Sequence, residues 1–127
     1  MIRTKSNSVR LNFNSEPIRR MVVTLAKLDR SHDVGLAAGR PRRYTGDLVI
    51  TSGNDSTHGP GSRHYTDEAI DVRTHNFTSR EARRNFRVRW EAALGPQFRV
   101  LLEHEGKPNE HFHAQVRKGH TYQSEGF

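Results

Sequence analysis

The 127-residue chain predicts an α+β fold: a small, mainly antiparallel sheet of about four strands with flanking helices. Three observations carry that expectation. Two stretches repeat apolar residues at helical spacing behind clear start signals. Four short runs are either apolar or alternate with period two. A turn containing glycine and proline joins the last two of those runs into a hairpin. The length suits a single domain over residues 1–127, with residues 1–8 and 118–127 expected to be loosely held.

Taken in order, Val9 to Phe13 alternates apolar and polar residues and reads as a short edge strand. A helix start follows. Ser15 can cap, Glu16 suits the positive end of the helix dipole, and Pro17 fits the first turn. Ile18, Met21, Val22, Leu25 and Leu28 then form one apolar stripe, so a helix is expected over 16–29. Residues 30–46 are rich in Gly, Arg and Pro and read as a loop, with a turn of helix at Leu36-Ala37-Ala38. Asp47 to Ser52 is a short apolar run between Gly46 and Gly53, as in a buried strand. Residues 53–63 form a polar loop beside it, a favourable place for a binding site.

Glu68 to Arg73 is the second strand of the expected sheet. Asp71 there is the unusual residue, because a buried unpaired carboxylate is costly. It either lies on an exposed sheet face or meets a cation. Thr78 and Glu81 match a capping box. Ala82, Phe86, Trp90, Ala93 and Leu94 follow at helical spacing until Gly95-Pro96 ends the helix, with Trp90 as a core anchor. Phe98–His104 and His111–Val116 form the hairpin. In its second strand His111, His113 and Gln115 share one face, and Phe112, Ala114 and Val116 the other.

Composition narrows the chemistry. The absence of cysteine removes disulfides, thiolate nucleophiles and cysteine metal sites, so any metal must be held by His, Asp or Glu. The formal charge of +7 favours polyanionic partners, with local clusters at Arg40, Arg42, Arg43 and at Arg83-Arg84. No run is long enough to span a bilayer, and the first residues lack the apolar stretch of a secretory signal. The chain is expected in the cytoplasm until released, or on a virion.

Two imidazoles and a carboxylate are a known way to hold catalytic zinc with a coordination position open to water. His64, Asp71 and His113 are the candidates for that set. Glu110 is the candidate base, and His111 a neighbour for the site. A lone pair of histidines in a strand carries little information. Ser62 two residues before His64 and Glu110 three before His113 make the pattern more specific.

These residues resemble the LAS group of zinc peptidases. That group includes D-alanyl-D-alanine carboxypeptidases, L-alanyl-D-glutamate endolysins of bacteriophages and the related hedgehog domain. Its motif reads Ser-x-His-x-x-Gly-x-Ala-x-Asp, matched here by Ser62, His64, Ala69 and Asp71 and followed by Glu110 and His113. Val49 to Gly53 resembles the "ITSG" segment upstream. The likeness covers roughly residues 45–117. It implies a hedgehog/DD-peptidase-like fold, Zn2+ on His64, Asp71 and His113, and Glu110 as general base. It also implies that His111 acts in catalysis and that Ser62 positions a peptidoglycan peptide. Asp67 stands where the group has glycine. Asn54-Asp55 stand where many members have an aromatic residue and a substrate-reading arginine, so Arg63, Arg73 or the Arg40–Arg43 cluster would have to serve instead. The resemblance implies a monomeric cell-wall hydrolase with no specific nucleic-acid partner. The other readings are a zinc-binding module without catalysis and a small basic nucleic-acid-binding protein.

Overall fold

A computed structural model describes residues 1–54, 62–64 and 66–126. The α+β expectation holds, with five strands and two helices. They run β1 (Ile2–Thr4), α1 (Glu16–Ala37), β2 (Leu48–Ser52), β3 (Ala69–Arg73), α2 (Arg80–Leu94), β4 (Phe98–Glu103) and β5 (His111–Val116). The spatial order is β1-β2-β3-β5-β4, with β1 parallel to β2 and every other pair antiparallel. No helix is long and apolar enough to cross a membrane.

The extra strand lies at the N-terminus. Residues 2–4 are not loose: Ile2, Arg3 and Thr4 pair with Leu48, Val49 and Ile50. The expected strand at 9–13 does not form. Instead that segment crosses the end of β2, where Asn54 N donates to Arg10 O and Leu11 packs on the core. Gly53 makes this crossing possible, since a Cβ there would stand 1.8 Å from Arg10 O.

Helix α1 begins as expected, with Ser15 Oγ accepting from Ile18 N and Pro17 in the first turn. It runs eight residues beyond the expected end at residue 29, through a stretch expected to be a loop. Tertiary contacts rather than periodicity support that extension. Tyr44 donates to Asp29 (2.6 Å) and stacks on His32 (ring centroids 4.0 Å), whose Nε2 accepts from Arg43 N. Gly39, at φ +84°, then turns the chain out of the helix. Helix α2 starts one residue later than the capping box suggests. Ser79, not Thr78, caps it by accepting from Ala82 N, while Thr78 Oγ1 donates to Arg43 O. The C-terminal segment is also tied down: Glu16 receives Tyr122 Oη, Ser124 Oγ and Glu125 N, and Gln97 receives Gln123 N.

The helices cover one face of the sheet. Ile18, Met21 and Leu25 of α1 and Phe86, Trp90 and Leu94 of α2 bury themselves against Ile70, Val72, Val100, Phe112 and Ala114. Strand alternation then turns Asp71, His111, His113, Gln115, Arg99, Leu101 and Glu103 toward the opposite face. The register sets them in rows across β3, β5 and β4: Arg73–His111–Glu103, Asp71–His113–Leu101 and Ala69–Gln115–Arg99.

Candidate metal centre

His64 reaches the middle row from the loop before β3. Ser62 Oγ accepts from His64 N, and the turn closes with Glu68 N donating to Arg63 O. Asp67 takes a left-handed conformation there, at φ 55°. An aspartate tolerates that region better than most residues with a Cβ. Asn12 and Asn54 both donate to its carboxylate. These bonds hold His64 almost fully buried, at 2% exposure.

Three ligand atoms meet. His64 Nε2 lies 3.2 Å from Asp71 Oδ1 and 3.2 Å from His113 Nδ1, and His113 Nδ1 lies 2.8 Å from the same Asp71 oxygen. The other nitrogen of each ring is committed. His64 Nδ1 is 2.7 Å from Gly53 O, a carbonyl that can only accept, so this nitrogen carries the proton. His113 Nε2 donates to Gln115 Oε1 at 2.8 Å, and Gln115 Nε2 in turn donates to Val116 O. Two lone pairs and a carboxylate thus face one point, an arrangement of acceptors that suits a cation. His64, Asp71 and His113 form a group able to hold a metal ion.

The electrostatics agree. Burial alone would raise the Asp71 carboxyl, but His113 and His64, when protonated also on the nitrogens that face it, donate to it and hold the group well below the usual carboxylate range. Burial would likewise lower His113, yet its hydrogen bond to Asp71 and that group's negative charge raise it. The anion draws positive charge into the site, so protons and a metal compete for the same atoms.

The remaining expected residues divide. His111 stands beside the three, 3.8 Å from Asp71, with Nδ1–H donating to Asn109 O. Glu110 does not join them. Its carboxylate turns toward α2, accepting from Thr74 Oγ1 (2.7 Å) and Gly106 N (2.8 Å) and lying 3.1 Å from Arg83 Nε. It locks the hairpin turn, while also lining a hollow shared with Asp71 and His111. Arg63 is also engaged elsewhere, paired with Glu68 and donating to Arg117 O and His120 O, although it lines the cleft. Ser62 is a backbone cap at the cleft edge. His58 lies outside the described residues.

The carboxylate that does face the site is Glu103. Its Oε1 lies 3.1 Å from His111 Nε2 and 3.8 Å from His113 Nδ1, and its side chain is 38% exposed. With Asp71 and His111 it makes a second group of metal-capable spacing. Nothing local in the sequence marks it. Only the hairpin register, which sets Glu103 opposite His111, would have found it.

No protein-family model matches the chain, and neither curated proteins nor solved structures yield a match.

Proposed function

We propose that this protein is a zinc-dependent hydrolase of amide bonds in peptidoglycan stem peptides, of the D-alanyl-D-alanine carboxypeptidase or endolysin kind. The observation that carries the reading is the convergence of His64 Nε2, His113 Nδ1 and Asp71 Oδ1, with the second nitrogen of each ring already donating elsewhere. The motif resemblance from Ser62 to His113 supports the substrate class.

Zinc held by these three groups supplies a Lewis acid for the amide carbonyl and lowers the pKa of water toward neutrality. The chain's own residues do the rest. Glu103 replaces Glu110 as the base: its exposed carboxylate takes the proton of the attacking water and returns it to the leaving amine, so that the C–N bond breaks after the new C–O bond forms. His111 Nε2 lies 3.1 Å from Glu103 Oε1, and the doubly protonated ring donates there and holds Glu103 toward the ligands. The basic surface favours an anionic wall, and a phage lysin or virion component is the setting in which a monomeric hydrolase of this kind meets its substrate.

The test is metal content and amine release together. Purified protein dialysed against zinc retains about one ion per chain, and His64→Ala or Asp71→Asn loses it. The zinc form releases new amines from purified peptidoglycan. Zinc retention without hydrolysis across several wall chemotypes would leave a metal-binding module, and no retention would remove the metal centre.

A further inference from the structure

The ligand row stands in the middle of a groove. Two hollows on the helix-free face share Asp71 and His111 as a common wall. One extends toward Gln115, Arg99 and Lys118, the other toward Thr51, Arg73 and Lys5. The strand register gives the same layout. Arg73 lies in the row on one side of Asp71 and His113, and Arg99 in the row on the other side. Each is displaced along the sheet by two residues, roughly 6.6 Å.

The charges in these two places are available. Among the described residues neither the Arg73 nor the Arg99 guanidinium has a hydrogen-bond or ion-pair partner, whereas Arg63, Arg83, Arg84 and Arg87 are each paired with a glutamate. A guanidinium on a groove wall offers a carboxylate two parallel charge-assisted bonds. An enzyme that removes a terminal residue needs its cation on one side only. Here the cations are divided between both sides.

Resting on the hydrolytic reading above, we infer that the groove takes an extended chain through it and cuts an internal amide, with an acidic group of the substrate on each side of the scissile bond. Arg73 reads one and Arg99 the other. The base and the ligands are common to internal and terminal cleavage, so the two arginines determine specificity rather than chemistry.

The experiment uses zinc-loaded full chain and soluble peptidoglycan stem-peptide fragments, with products identified by mass spectrometry. Cleavage should leave two or more residues on each side of the cut. Arg73→Gln and Arg99→Gln should each raise KM roughly tenfold or more with zinc content unchanged. Amidating the fragments' side-chain carboxylates should have a similar effect on the parent protein. Release of a single C-terminal residue, or sensitivity to one arginine alone, overturns the inference while leaving the hydrolase intact. If no fragment is cut, the hydrolase reading fails, and calorimetric binding of the same fragments still decides: affinity unchanged in either variant overturns the two-sided groove, and loss in both supports it.

Discussion

Glu103 and Glu110 flank one turn, yet their carboxylates finish on opposite sides of the hairpin in different surroundings. Glu110 is buried and receives a hydroxyl, a backbone N–H and the charge of Arg83. Glu103 is open to solvent beside two histidines. Exchanging Glu103 for Gln is expected to keep the metal and lower kcat by about 10²–10⁴, the usual contribution of a positioned base. Glu110→Ala is expected to cost about 3 kcal/mol, because it strands Arg83 and two donors, and to leave kcat of the folded fraction near that of the parent. Urea unfolding and single-turnover rates separate the two. If the Glu103→Gln variant kept full rate with metal bound, the base would have to be sought elsewhere. Gly53 acts at the same scale: its carbonyl fixes the proton of His64, and its missing Cβ admits Arg10 O.

At the scale of elements, the start of α1 serves as an anchor for the C-terminal segment. Tyr122, Glu125 and Ser124 all donate to Glu16, in that order of effect, and hold its carboxyl down to about 2 from an ordinary value of 4.5. A depressed carboxyl stabilises the fold above its unfolded pKa, and this contribution is lost as the proton returns. Stability should therefore fall as pH drops from about 4.5 toward about 2. Glu16→Gln should flatten that part of the profile relative to the parent protein. Denaturant midpoints taken across this range for both proteins check it, and parallel curves would show that the clamp contributes nothing. The clamp also explains why a polar, glycine-containing tail is ordered: its partners come from α1 and from Gln97, far away in sequence.

On the scale of the whole molecule, the sheet separates stability from chemistry. One face carries the helices and the aromatic core of Phe77, Phe86, Trp90 and Phe112; the other carries the residues able to hold a metal ion. Trp90 is fully buried, and its Nε1 donates to Thr24 Oγ1, tying α2 to α1. Trp90→Phe loses that bond and leaves unfilled volume, so a cost of about 1–3 kcal/mol is expected, with zinc affinity unchanged. Circular dichroism against urea and a competitive zinc titration measure the two quantities. Equal loss in both would show that the faces are coupled.

By itself the sequence determined the alternation in β5, the apolar stripes of both helices, and the residue types able to bind a cation. These are properties of neighbours a few positions apart, and the three expected ligands, His64, Asp71 and His113, do come together. It also marked Asp67, whose left-handed backbone keeps the loop tight. Tertiary structure decided the rest. The last turns of α1 depend on Tyr44 and His32, β1 exists because β2 offers it a free edge, and the tail is placed by Glu16. Above all, the directions taken by the two glutamate carboxylates follow from Arg83 on α2 and from the pairing of Glu103 with His111. The physical reason is that spacing encodes which face a side chain takes within its own strand. Which charges wait on that face depends on helices and strands brought there by burial of the core.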